Sequence, residues 1–171
     1  VRLRHRSRPD GRHGQILILG VNMTQQQASS GSAHVCTDIH AHIAPLAFLQ
    51  EVKRSASSFG VEVEETPTGH AITFPGLPRL RPAGGGLCDT EDRAGWMESN
   101  GVDRQILAAW LDIQGYTLPK DTEATWVRLL NEHISGTSQT SGGRYGGLAA
   151  VPMSDGTLAA RELEYAVNTL G

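Results

Sequence analysis

Three short extended patterns, each followed in the chain by a helical pattern, constrain this fold more than any other sequence feature. Residues 34–40 read as a strand. Residues 102–110 enclose the compact apolar stretch Gln105-Ile106-Leu107-Ala108-Ala109, and residues 147–151 form a third run that stops at Pro152. Helical patterns follow at residues 45–55, 121–135 and 157–170. The first places Leu46, Phe48, Leu49 and Val52 on one face, and the second does so with Ala124, Val127, Leu130 and Ile134. The last carries Leu158, Leu163, Ala166, Val167 and Leu170. Strands alternating with helices imply a parallel sheet with helices outside it.

Between the first and second strands lies extra material. Val61-Glu62-Val63-Glu64 and Ala71-Ile72-Thr73-Phe74 alternate around the turn-rich Thr66-Pro67-Thr68-Gly69, the pattern of a β-hairpin. Residues 75–87 hold several prolines and glycines and read as a loop. Gly84-Gly85-Gly86 lacks the strand-to-helix setting and following lysine of a phosphate-binding loop, so it reads as a flexible active-site loop or a linker. Asp89 supplies an N-cap for a helix to about Asn100, which Gly101 ends. Asp121 is expected to cap the helix that follows residues 112–120, and residues 138–143 read as polar linker.

Asp38-Ile39-His40-Ala41-His42 stands at the end of the first strand. Alternation of side chains puts Asp38, His40 and His42 on one face, with Val35, Thr37 and Ile39 on the other. Two imidazoles so spaced can grip a divalent ion such as zinc. Without further context such a pair is more often structural. The barrel-like element order raises the metal reading, because (β/α)8 barrels gather their sites at C-terminal strand ends. A doubly wound sheet fits less well, since its ligand sites use a glycine turn between strand and helix. A complete barrel takes about 250 residues. About 138 residues follow position 33, so the expectation is the N-terminal half of a barrel: roughly three βα units plus a hairpin insertion.

Composition excludes several classes. Net charge is -3, which gives no global basic footprint for nucleic acid. No apolar run approaches the ~20 residues of a membrane span. Residues 1–33 differ from the remainder, with alternating arginines and a Gln/Ser/Gly tract, and read as a disordered or miscalled leader in which Met23 is a candidate start. The apolar run at residues 16–19 is too short for an export signal. Two cysteines, Cys36 and Cys88, do not make a disulfide framework, so a reducing, cytoplasmic compartment is expected. Cys36 is expected to be a buried, inert strand thiol rather than a ligand. His34, His70 and His133 show no ligand spacing, and Trp96, Trp110 and Trp126 read as packing anchors.

Over roughly residues 36–171 the chain resembles the amidohydrolase superfamily, in the branch of aminocarboxymuconate-semialdehyde decarboxylase. The pieces that carry the resemblance are the Asp38–His42 motif, Arg81-Pro82, and the series Asp89, Arg93, Met97, Gly101-Val102. Leu129-Leu130-Asn131-Glu132, the run Arg144 through Met153, and Glu162-Leu163-Glu164 through Gly171 complete it. The resemblance implies a (β/α)8 TIM-barrel fold and a single divalent metal, usually zinc. It also implies a carboxy-lyase reaction releasing carbon dioxide from an unsaturated or aromatic carboxylic acid. Hydratases and hydrolases on the same fold, or a catalytically dead remnant, are the alternatives. His40 and His42 carry over as metal ligands and Arg81 as the group that binds substrate carboxylate. No residue matches the family's later ligands or catalytic histidine, so the 171-residue chain alone is expected to be inactive and marginally stable. The expected partner is a small carboxylic acid, with no nucleic acid or membrane and with a homodimer as one possibility.

Overall fold

The computed structural model describes residues 35–171. The expectations for residues 1–33, for Met23 and for His34 lie outside these residues. The chain forms β1 (Thr37–Ile43), α1 (Leu46–Arg54), α2 (Ala56–Phe59), β2 (Glu62–Thr66), β3 (Gly69–Thr73) and α3 (Thr90–Ser99). It continues through β4 (Arg104–Ala109), α4 (Lys120–Gln139), β5 (Tyr145–Gly147) and α5 (Gly156–Tyr165), and ends in a π-helical turn at Ala166–Leu170. Strands β1, β4 and β5 form a parallel sheet in that order, while β2 and β3 form a separate antiparallel hairpin. The expected mixed α/β order with a hairpin insertion is therefore present.

The sheet is buried on one side. On β4, Gln105, Leu107 and Ala109 are buried, whereas the alternate residues Ile106 and Ala108 are only partly covered. Below the buried side sits Trp126 of α4, fully enclosed. Phe48 of α1, Phe59 of α2 and Phe74 after β3 meet it edge-on, with ring centroids 5.1, 5.2 and 5.3 Å away. Such pairs add about 0.5–1.5 kcal/mol each beyond area burial. The indole Nε1 donates to the Ile113 carbonyl at 2.7 Å, satisfying the one polar atom that burial would orphan. One residue thus ties the first helices, the hairpin and the loop after β4 together. Trp126 and Trp110 are packing anchors as expected, but Trp96 is 52 % exposed and is not.

Asp89 caps α3 as expected, its carboxylate accepting from the amides of Glu91 and Asp92. Asp121 does not cap α4: Pro119 occupies that position with no side-chain cap, and Asp121 lies in the first turn, where its charge suits the helix N-terminus. The helix runs on to Gln139, absorbing the start of the expected linker.

The third strand falls earlier than the apolar pattern suggested, at Tyr145–Gly147. Beyond it the backbone around Ala150 leaves the ladder because a side chain takes over.

 Asn131 of α4 donates to the Ala150 carbonyl at 2.9 Å and accepts from the Ala150 amide at 2.8 Å, so these backbone groups are satisfied without a neighbouring strand. The final helix also differs. Asp155 caps it through the amides of Thr157 and Leu158. Its buried residues are Glu162 and Ala166, whereas Leu163 and Val167 are 52 % and 65 % exposed. Glu162 is held by Arg128 at 2.6 Å and by Asn131 at 2.8 Å, which explains how a carboxylate takes the inward position.

Residues 84–86 are not slack. His70 and Ala83 exchange backbone hydrogen bonds of 2.8 and 2.7 Å, extending the hairpin by one bridge. Next to that bridge the chain crosses itself so closely that a Cβ on Gly84 would lie 2.0 Å from the Thr68 carbonyl oxygen. A short 3-10 turn at Gly85–Leu87 follows, and the Leu87 carbonyl accepts from the Ala44 amide at 2.9 Å. The loop is thereby fastened just beyond the C-terminal end of β1.

Candidate metal and carboxylate site

Strand β1 contains the whole Asp38–His42 motif, but it does not alternate simply. Asp38 pairs with Gln105, and the next regular pair is Ala41 with Leu107. Three steps along β1 therefore match two along β4, which is a β-bulge. Gln105 and Leu107 share one face of β4, so Asp38 and Ala41 share that helix-covered face. His42 pairs with Ala108 on the opposite, more open face. The expectation that Asp38, His40 and His42 share a face is corrected for Asp38, because the extra residue resets the alternation. Ile39, assigned to an apolar face, is 75 % exposed at the same irregularity.

The two histidines do come together. Their ring centroids are 5.1 Å apart with the planes nearly perpendicular. His40 is exposed and His42 half-buried. The His42 Nδ1 lies 3.2 Å from the Ala109 carbonyl oxygen. A carbonyl oxygen only accepts, so Nδ1 donates, and in the neutral ring Nε2 is then the nitrogen that offers a lone pair to a metal. The pair thus fits two positions of a zinc-type site. Among the described residues no cluster of three or more His, Cys, Asp or Glu side chains is placed to hold a metal.

Arg81 lies beside Trp110, the residue that follows the C-terminal end of β4. Its guanidinium carbon lies 4.9 Å from the centre of the Trp110 ring, and its Nε lies 3.7 Å from the Asp112 carboxylate. Trp110 follows β4 directly and donates its amide to the Ile43 carbonyl at 2.8 Å. Arg81 is exposed and so is open to an incoming anion. His70 lies in the hairpin ladder and His133 pairs with Glu51 at 2.9 Å, both ordinary roles as expected.

Cys36 is exposed rather than buried. It precedes β1, and its backbone rather than its thiol is engaged, with its amide donating to Asp103 at 2.7 Å. Cys88 is the enclosed thiol, and burial pushes it up to about 11. Several polar residues near the site carry no ligand-like spacing and were not legible as site residues from pattern alone. Glu123, fully buried, accepts from the amides of Met153 and Ser154 and from the Ser154 hydroxyl, pinning the loop after β5 to the start of α4. Arg93 and Gln105 are buried beside the motif.

No family model matches the chain. Solved structures do. The chain is similar to the 5-carboxyvanillate decarboxylase LigW from Sphingomonas paucimobilis, with a TM-score of 0.58 and 20 % identity over 81 % of this chain and 41 % of that one. It is similar to the Metarhizium anisopliae IDCase, with a TM-score of 0.58 and 12 % identity over 77 % of this chain and 39 % of that one. A 2,6-dihydroxybenzoate decarboxylase, in complex with 2,6-dihydroxybenzoate, matches with a TM-score of 0.50 and 20 % identity over 80 % of this chain and 36 % of that one. Two of these neighbours are named as decarboxylases. The shared feature is the fold. The chain spans about two fifths of the length of the solved structures it matches. Its mixed α/β architecture matches theirs over a partial region. No helix among the described residues is long and apolar enough to cross a membrane.

Proposed function

We propose that this chain contributes the first two metal donors and a carboxylate-binding arginine to a metal-dependent carboxy-lyase acting on an aromatic or unsaturated carboxylic acid. The observation that carries the reading is the placement of the His40 and His42 rings side by side at the C-terminal end of a parallel strand, with the His42 Nδ1 facing a carbonyl. That is the end at which barrel sites assemble. The fold neighbours named as decarboxylases of 5-carboxyvanillate and 2,6-dihydroxybenzoate favour an aromatic acid over other classes. His40 and His42 would hold the ion, with zinc the best match to paired neutral imidazoles. When bound, such an ion supplies Lewis acidity toward an oxygen of the substrate. Arg81 orients the carboxylate through its planar fork, and the Trp110 ring beneath it keeps the guanidinium in place. Two free cysteines suit a reducing compartment such as the cytoplasm.

Cobalt(II) titration of the 171-residue chain tests the metal assignment. Binding followed by visible absorption is expected in the parent chain and lost in His40→Ala and in His42→Ala. Equal binding by the double variant would refute it. Addition of benzoate-type acids should change tryptophan emission through Trp110, with Arg81→Gln weakening that response about tenfold. A chain that answers to esters or amides but not to carboxylates would move the reading to a hydrolase.

A further inference from the structure

Arg93 is 9 % exposed, and among the described residues its hydrogen bonds go to an amide oxygen and a backbone carbonyl rather than to a carboxylate. Its Nη2 donates to the His42 carbonyl at 2.6 Å and its Nη1 to Gln105 Oε1 at 3.0 Å. The other end of the Gln105 amide, Nε2, donates to Asp38 Oδ2 at 2.9 Å. Asp38 Oδ1 then accepts from the His40 amide at 3.0 Å. The amide orientation of Gln105 is dictated by these partners, because a guanidinium can only donate and a carboxylate can only accept. Three side chains from three elements therefore form one relay. It starts at the amide of His40 and ends at the carbonyl of His42, so it brackets the bulged part of β1.

A buried guanidinium is costly, and burial pulls the Arg93 pKa down. Its Nε has no hydrogen-bond partner among the described residues. A methionine or leucine would serve plain helix-to-sheet packing without that cost. What an apolar residue cannot do is hold a carbonyl at one end of a bulge while carrying a carboxylate's charge, through an amide, to the other. We propose that Arg93, acting through Gln105 and Asp38, is the positioning residue that fixes the β1 bulge and with it the spacing of the His40 and His42 rings. Its consequence for metal affinity rests on the metal reading given above; the relay itself does not.

The experiment separates the two. In the metal-free chain, Gln105→Leu and Arg93→Gln should shift the His42 ring nitrogen resonances and speed hydrogen exchange of the His40 amide about tenfold. Both should weaken cobalt(II) binding by about 10- to 100-fold, the usual loss when a group supporting a metal ligand is removed. Arg93→Lys should recover part of both effects, since one ammonium can still reach the His42 carbonyl. Asn131→Ala, which loosens the fold far from the bulge, should leave cobalt affinity unchanged. If Arg93→Gln fails to fold, Gln105→Leu carries the same readouts with the guanidinium left on His42. Unchanged His40 exchange and His42 resonances in a folded Gln105→Leu chain would overturn the proposal. So would an equal affinity loss in Asn131→Ala. Altered resonances in a series whose parent binds no cobalt would leave the relay standing and defeat the metal reading instead.

Discussion

Three consecutive glycines with three different environments give a direct test of how the loop before α3 is held. A Cβ on Gly84 would lie 2.0 Å from the Thr68 carbonyl oxygen and 3.2 Å from the Gly69 Cα, both backbone atoms that no rotamer change can clear. Gly85 has open space but a φ of +55°, and Gly86 has open space. Gly84→Ala must separate the loop from the hairpin, an overpacking cost of about 1–3 kcal/mol. For a protein of this size that corresponds to a fall in melting temperature of roughly 2–12 °C, at about 2–4 °C per kcal/mol. Gly85→Ala pays only the left-handed backbone term, about 1–2 kcal/mol. Gly86→Ala should be neutral or gain up to about 1 kcal/mol through the unfolded chain. Thermal melts and urea titrations of the three variants read the order. Because Leu87 binds the Ala44 amide just past β1, Gly84→Ala should also quicken hydrogen exchange of that amide. Equal melting temperatures for all three would refute the close crossing and restore a flexible linker.

The two thiols should separate sharply. At pH 8 the exposed Cys36 is expected to react with a disulfide reagent in the native chain, and Cys88, raised to about 11, only after denaturation; two fast thiols would contradict the burial. Trp126→Phe leaves the Ile113 carbonyl without its 2.7 Å donor and a void among three phenylalanines, so calorimetry or urea titration should show a loss of about 2–4 kcal/mol. The Lys120 ammonium, then the Leu158 amide, hold the Asp155 carboxyl below its ordinary value of 3.8. A lowered folded pKa adds stability that is full above the unfolded value and fades as pH falls through the folded one. The melting-temperature gap between the parent chain and Asp155→Asn should therefore be constant near neutrality and shrink below about pH 4; a gap that widens in acid would contradict the pairing.

Element order was legible because hydrophobic periodicity reports it directly. The strand–helix succession, the hairpin, the Asp89 cap and the buried Phe48-Leu49-Val52 face are all local features. Failures occur where a distant side chain substitutes for a local rule. Asn131 satisfies the backbone of Ala150, 19 positions away, and so ends β5 within a stretch whose composition favours a longer strand. Glu162 turns inward because Arg128 and Asn131 are waiting for it, which leaves Leu163 outside. The bulge in β1 is the same kind of case. Alternation in Asp38–His42 is perfect as text, yet Gln105 and Arg93 draw Asp38 to the other face. The histidine pair was readable as a pattern; the relay proposed to set its geometry depends on residues 55 and 67 positions apart from Asp38 in sequence.

On the metal reading proposed above, the two imidazoles would hold an ion on the less covered side of the sheet, the face of β4 that carries Ile106 and Ala108. They would not set which bond breaks. Arg81 is the residue proposed above to bind the acid, and its existing bond is weak. At 3.7 Å, between side chains 74 % and 40 % exposed, the ion pair with Asp112 belongs to a class worth about 0–1 kcal/mol. A substrate carboxylate offering two oxygens to the planar fork outcompetes a single distant carboxylate oxygen. If Arg81 binds the acid as proposed, Asp112 would compete with it for the guanidinium: Asp112→Asn should tighten binding of an aromatic carboxylate a few-fold at low salt and less at high salt, where the exposed pair is already screened. Fluorescence titration through Trp110 measures it. Unchanged affinity in Asp112→Asn, alongside weakened affinity in Arg81→Gln, would show that Arg81 binds the acid without first giving up Asp112.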